Sequence, residues 1–147
     1  MDIKKLKKGS SISIEKFIKE IDPEIVPPIG TKVDLHKWSI KLDTFAINFA
    51  SLDQLGNIEA LLSFYVNKES FITFFAVSKN HRRKGFGSKL LDACIHECKK
   101  EQSNSIKVHT WLSNKKAIIL YMSKDFNKVE IRNNRSVDST LILEKKL

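Results

Sequence analysis

Phe74-Phe75-Ala76-Val77, followed by Ser78-Lys79-Asn80-His81-Arg82-Arg83-Lys84-Gly85-Phe86-Gly87-Ser88, is the stretch on which the fold turns. An apolar, strand-sized run enters a basic loop with two glycines. That loop opens a helical pattern from Ser88 to Lys100, with Leu90, Leu91, Cys94, Ile95 and Cys98 on one face. The first-turn N–H groups of such a helix have no internal partners, and its dipole places partial positive charge there. Gly85 and Gly87 let the backbone curl round an anion, while Arg82, Arg83 and Lys84 add charge, so the parts compose a pyrophosphate cradle. A plainer reading, a basic surface loop eased by glycines, uses the same residues. Other phosphate motifs fit worse. Gly87-Ser88-Lys89 is in the wrong order for a Walker loop, and Leu90 stands where a dinucleotide fingerprint needs its third glycine.

Working outward, Ile14, Phe17, Ile18 and Ile21 keep the spacing of an amphipathic helix over Ile12 to Ile21, closed by Asp22-Pro23 and Pro27-Pro28. Val33 to Lys41 reads as a second helix. Strands over Thr44 to Ser51, Ile58 to Val66 and Ser70 to Val77 follow, joined by short turns as an antiparallel meander. Beyond the helix to Lys100 come a strand from Ser105 to Leu112, a helix from Lys115 to Lys124, and strands near Phe126 to Arg132 and Ser139 to Glu144. Counting Ile3 to Leu6 as a first strand, the order is that of an α/β protein with a mixed sheet, expected to form a single domain over residues 1–147.

Composition narrows the partners. The chain carries 26 Lys+Arg against 17 Asp+Glu, a formal charge of +9. Only Arg82, Arg83, Arg132 and Arg135 are arginine, and the lysines are scattered, which describes a solvated surface better than a nucleic-acid footprint. No run approaches the roughly 18 apolar residues of a membrane span. The basic start MDIKKLKKGS has no apolar stretch behind it, so a secretory signal is not expected. Two cysteines, Cys94 and Cys98, suit a reducing cytoplasm. The triplet Cys94-x-His96-x-Cys98 invites a metal reading, but on a helix His96 is turned about 200° from Cys94, so the three cannot converge and no metal is expected.

A second motif lies downstream, Asn114-Lys-Lys-Ala117-Ile-Ile-Leu120-Tyr121-Met-Ser-Lys-Asp125-Phe126. Together, Arg82-x-x-Gly85-x-Gly87 behind Val77 and this later segment resemble the two signatures of the GNAT N-acetyltransferase family. The resemblance is firm from Ser70 to Phe126 and looser outside it. Lys79 stands where the family often has proline. Asp125 replaces a glycine at a helix end that commonly needs left-handed geometry, which aspartate tolerates better than most residues.

The resemblance implies a GNAT acyl-CoA N-acyltransferase fold: a mixed central sheet with a splayed parallel strand pair and helices on both faces. It implies acetyl-CoA as cosubstrate, bound in the V between Ser70 to Val77 and Ser105 to Leu112. In that picture the backbone of Phe75, Ala76 and Val77 pairs with pantetheine, and an N–H near Val77 polarises the thioester carbonyl. Arg82, Arg83, Lys84, Gly85, Phe86, Gly87 and Ser88 hold the pyrophosphate, and Asn114 meets the pantetheine arm. Tyr121 matches the family's recurrent general acid. His109 lies five residues before Asn114, where some family members that acetylate peptide N-termini carry a glutamate base, and an imidazole is able to serve there. The plainer alternatives are a packed tyrosine and a bystander strand histidine. His36 and Trp38 are weaker candidates for the acceptor pocket, and His81 is expected to be solvated.

The implied reaction is direct transfer to an amine. The segments before Thr44 and between Phe126 and Ser139 are expected to shape the acceptor pocket. An amino sugar or nucleotide-sugar, a peptide N-terminus, a polyamine and an antibiotic all remain open as acceptors, and so does a monomer or a homodimer. A catalytically silent acyl-CoA-binding domain is the alternative from another class, with nucleic-acid binding third.

Overall fold

A computed structural model describes residues 2–25, 28–133 and 139–147. Along it run β1 (Lys4–Lys5), α1 (Ser11–Ile21), α2 (Leu35–Phe45), β2 (Ile47–Leu52), β3 (Ile58–Tyr65) and β4 (Glu69–Val77). Then come α3 (Phe86–Lys100), β5 (Ser105–Trp111), α4 (Lys115–Ser123), β6 (Asn127–Arg132) and β7 (Thr140–Lys146). Short 3-10 turns occupy Asp22–Glu24, Ile29–Thr31 and Lys79–His81. The strands form one sheet in the order β1-β2-β3-β4-β5-β7-β6, in which, among the described residues, only β4 and β5 run parallel.

Two apolar layers flank the sheet. On one face α1 contributes Ile14, Phe17, Ile18 and Ile21, and with Leu42 of α2 they pack on Ala50, Leu61 and Phe74. On the other, Leu90, Leu91, Cys94 and Cys98 of α3 and Tyr121 of α4 pack on Leu62, Ile72, Ile106 and Val108. The cysteines are therefore core residues and His96 is exposed. Among the described residues, no cluster of His, Cys, Asp and Glu is placed to hold a metal, and no helix is long and apolar enough to cross a membrane.

One boundary departs from the sequence reading. The second helix, expected to end at Lys41 before a strand from Thr44, continues to Phe45, and β2 begins at Ile47. Trp38, Leu42 and Ala46 complete an apolar i, i+4 stripe, so burial favours the extra turn over the β-propensity of Thr44 and Phe45. Buried Asn48 then donates its amide to the Leu42 carbonyl at 3.0 Å, which also accepts the Ala46 N–H at 3.0 Å, so the side chain ties β2 to the helix end.

The end of α4 follows the expectation for Asp125. Its φ is +68°, the Asp125 N–H donates to Met122 O at 3.1 Å, and the Phe126 N–H donates to Tyr121 O at 3.1 Å. This is a Schellman stop, and its usual apolar contact is the Tyr121–Phe126 ring pair, with centroids 5.4 Å apart. Asp125→Gly should relieve the left-handed strain and raise stability by about 0.5–1 kcal/mol, near 2 °C in Tm. The Lys145–Asp125 contact it removes, 3.9 Å long with a 91% exposed carboxylate, adds little. An unchanged or lower Tm on thermal unfolding would contradict this.

Candidate active site

The parallel pairing of β4 with β5 stops at Ile72↔Val108. The cause sits in the next residue of β4. Ser63 of β3 pairs with Phe74 and Phe64 with Ile72, so Thr73 is an extra, bulged residue. A bulge bends its strand and sharpens its twist. It also inverts the alternation: Ser70 and Ile72 face α3, whereas beyond the bulge Phe75 and Val77 take that side and Phe74 and Ala76 turn to α1. From there β4 stays with β3 as far as Val77↔Ala60, while β5 stays with β7 as far as Trp111↔Thr140. Each arm keeps its outer neighbour, and the two part from one another. The V so formed is a cleft of about 120 Å³ whose lining includes Phe75, His109, Thr110, Asn114 and Tyr121.

These side chains reach the cleft from different elements. Tyr121 comes from α4 and is 3% exposed, its ring between Phe75, at 6.0 Å, and Phe126. Burial, with a smaller contribution from the neighbouring Cys94, holds its phenol pKa far above the ordinary tyrosine value. Asn114 stands at the N-cap of α4 without capping it, and donates its amide to Thr110 Oγ1 at 3.1 Å. His109 is on the face of β5 opposite Ile106 and Val108, as alternation predicts, exposed, with its ring edge-on to Phe71 at 5.1 Å. Partial burial lowers the His109 pKa; Arg132 and Lys107 push the same way, and Glu130 opposes them.

The basic loop lies where β4 ends. Gly85 has φ +82° at the N-cap of α3 and offers no capping side chain, so the first-turn N–H groups of α3 face outward uncapped. Gly87 is close-packed: a Cβ there would lie 3.1 Å from Leu120 Cδ2 and 3.5 Å from Phe75 Cζ. Arg83, Lys84 and Gly85 are exposed, Phe86 is buried and Ser88 half-buried. Arg82 turns back from the cradle. Its Nε donates to the Val77 carbonyl at 3.1 Å and its guanidinium reaches Glu24 at 3.4 Å.

His81 corrects the sequence expectation. It is not simply solvated: Nδ1 is hydrogen-bonded to Ser78 Oγ, Nε2 lies 3.1 Å from Glu59 Oε1, and the ring packs edge-on to Phe86 at 5.9 Å. It pins the loop to β3 and to the start of α3. The Ser78-x-x-His81 spacing was the available signal for half of this arrangement, while Glu59 approaches only through β3–β4 pairing. Neither weaker pocket candidate lines the cleft. Trp38 packs on Phe74 at 5.6 Å, and His36 pairs with Glu15 on α1. Residues 134–138 of the segment expected to shape the acceptor pocket, and Pro27 of the Pro27-Pro28 break, lie outside the described residues.

Set beside known proteins, the chain matches a family model described as the acetyltransferase (GNAT) family over residues 16–126. It is similar to the [ribosomal protein bS18]-alanine N-acetyltransferase of Escherichia coli (strain K12), 34% identical over 104 residues that span 66% of this chain and 69% of that protein. Its fold is similar to the crystal structure of the ribosomal-protein-S18-alanine N-acetyltransferase from Escherichia coli, with TM-score 0.80, 22% identity, and coverage of 99% and 92% of the two chains. The ribosomal-protein-alanine N-acetyltransferase from Brucella melitensis is similar too, with TM-score 0.78, 17% identity and full coverage of both chains. A probable acetyltransferase from Staphylococcus epidermidis ATCC 12228 has TM-score 0.82 at 12% identity, covering 99% and 98%. At these identities the three structures speak for the fold.

Proposed function

Since this chain belongs to the GNAT family of acetyltransferases, we propose that it carries an acetyl group from acetyl-CoA to the α-amine of a peptide or protein N-terminus. The observation that carries this reading is the V between β4 and β5, with Tyr121 from the α4 side and His109 on the opposite face of β5. The relative that is 34% identical acts on a ribosomal-protein alanine, which favours a peptide acceptor. The amino-sugar and nucleotide-sugar acceptors left open by the sequence find no support among the relatives named above.

The residues fit acetyl-CoA. The uncapped first turn of α3, with Arg83 and Lys84 beside it, is the cradle for the pyrophosphate. Past Thr73, β4 has lost β5 as a partner, so the edge along Phe75, Ala76 and Val77 is open to pantetheine amides. Arg82 serves by holding the Val77 carbonyl at the loop. When bound, acetyl-CoA supplies the activated acyl carbonyl and a thiol leaving group.

The protein's own part is orientation, charge stabilisation and proton handling. Binding both reactants in one cleft is worth about 7–11 kcal/mol of the barrier at best. Backbone N–H groups of β4 stabilise charge that develops on the carbonyl oxygen. His109, kept neutral by partial burial and by Arg132 and Lys107, accepts the proton of the attacking amine, directly or through water. Tyr121 stays protonated because it is buried, and so can donate a hydrogen bond to sulfur. An ordinary thiol is much the stronger acid, so this hydrogen bond strengthens as sulfur gains charge without giving up its proton outright.

The test is turnover of acetyl-CoA with short peptides bearing a free N-terminal alanine, followed by thiol release and by the mass of the peptide. Wild type should acetylate the α-amine. Tyr121→Phe should lose at least about tenfold in kcat with acetyl-CoA affinity nearly intact, the pattern of an interaction made in the transition state. Acetylation of small amines but of no peptide would refute the acceptor assignment. Loss of acetyl-CoA binding together with fold in Tyr121→Phe would make Tyr121 structural.

A further inference from the structure

The turns between α1 and α2 reach the ends of both splayed strands, β5 by direct contact and β4 through Arg82. At one end, Glu24 receives the Arg82 guanidinium at 3.4 Å, and Arg82 Nε donates to the carbonyl of Val77, where β4 ends. At the other, the Lys32 ammonium lies 5.5 Å from the ring centroid of Trp111, where β5 ends. A single buried carboxylate joins the two contacts. Asp22, 8% exposed, accepts the Ile29 N–H at 2.6 Å and the Gly30 N–H at 3.0 Å. The turn Ile29–Thr31 is thereby hung on the turn Asp22–Glu24, and the Lys32 N–H closes it by donating to Ile29 O at 2.9 Å. Gly30 is needed for this approach, because a Cβ there would stand 2.8 Å from Asp22 Oδ2.

We propose that Asp22 and Glu24 are positioning residues for the acceptor, acting through the turns Asp22–Glu24 and Ile29–Thr31, with Lys32, as a tie between the two arms of the cleft. The inference rests on the acetyl-transfer reading, since it needs an acceptor entering on the α1–α2 face. The arms diverge because Thr73 bends β4, and beyond Ile72 and Val108 no strand-to-strand hydrogen bond sets their separation. A separate element must set it at the mouth. The exposed Arg82–Glu24 and Lys32–Trp111 contacts are weak singly, but the Asp22 hydrogen bonds to Ile29 and Gly30 link them. Loosening that link weakens the hold of the two arms on the acceptor and leaves the α3 cradle alone.

The experiment compares wild type with Asp22→Ala, Gly30→Ala and Glu24→Gln. It measures acceptor KM and kcat on an N-terminal alanine peptide, and acetyl-CoA Kd by calorimetry. Asp22→Ala and Gly30→Ala should each raise acceptor KM by about tenfold and Glu24→Gln by about threefold, with kcat and acetyl-CoA Kd within about twofold, the signature of lost binding rather than lost chemistry. A second readout needs no acceptor. The chain has two tryptophans, so in a Trp38→Phe background Trp111 alone reports, and acrylamide quenching should increase when Asp22 or Gly30 is changed. Unchanged Trp111 quenching, or an unchanged KM in a variant whose Trp111 has become accessible, would overturn the tie. If wild type itself acetylates no peptide, the N-terminal acceptor assignment falls, and Trp111 quenching alone then decides this inference.

Discussion

Replacing Gly85 and Gly87 together by aspartate is expected to weaken acetyl-CoA binding by at least about a hundredfold, or roughly 2.7 kcal/mol. Two independent effects combine. Gly85 sits at φ +82°, where an L-residue is strained by about 1 kcal/mol although nothing lies within 4 Å of its Cβ position. At Gly87 the side chain must enter a space already closed by Leu120, 3.1 Å away. Both substitutions place a carboxylate at the helix start. A like charge about 5 Å from a phosphate, at an effective dielectric near 20, opposes binding by about 3 kcal/mol. Calorimetry checks the affinity, and far-ultraviolet circular dichroism checks that the fold persists. The control is Gly85→Ala, which carries the backbone strain without the charge and should cost about tenfold at most. Unchanged affinity in the folded double variant would remove the α3 cradle from the binding site.

His109→Ala is expected to slow kcat/KM by roughly a hundredfold and to abolish the acidic limb of its pH profile. The sign follows from the surroundings. Partial burial, Arg132 and Lys107 disfavour the imidazolium, so the limb in wild type should fall below the usual imidazole value of about 6.5. Activity is present above that limb, where His109 is neutral, and lost as pH falls through it. Glu130 partly offsets the shift, so Glu130→Gln should move the limb further to acid, and Arg132→Gln should move it back. The acceptor's own ammonium can produce a similar limb. Two peptides whose α-amines differ in pKa separate the causes: a limb that follows the peptide, with full activity in His109→Ala, would leave His109 a bystander.

Much of this site is legible along the chain because it is local. The stop at Asp125 needs only a helix end and a residue that accepts positive φ, and the bonds that make it span no more than five residues. The cradle is equally local, since strand, glycine turn and helix start follow one another in sequence. His109 could be assigned its face because β5 alternates cleanly around Ile106 and Val108. The second helix runs past its expected end because packing of Leu42 and Ala46 overrides the strand preference that Thr44 and Phe45 have in isolation.

What lay beyond the sequence is whatever depends on residues distant along it. The bulge at Thr73 is invisible in Phe71-Ile72-Thr73-Phe74-Phe75, because both faces of β4 are covered and apolar side chains occur at both parities. Register with β3 decides it, and with it the splay. His81 finds Glu59 across that same pairing, and Asp22 finds Gly30 by a carboxylate closing a turn eight residues on. The sequence by itself determined the order of elements, the anion-binding turn and the identity of the groups offered to the cleft, since propensity, periodicity and glycine placement act over a few residues. Tertiary structure alone decided where the parallel strands part, how deeply Tyr121 is buried and which charges surround His109. Those properties are set by long-range pairing and by the low-dielectric packing it creates, which no short window of residues contains.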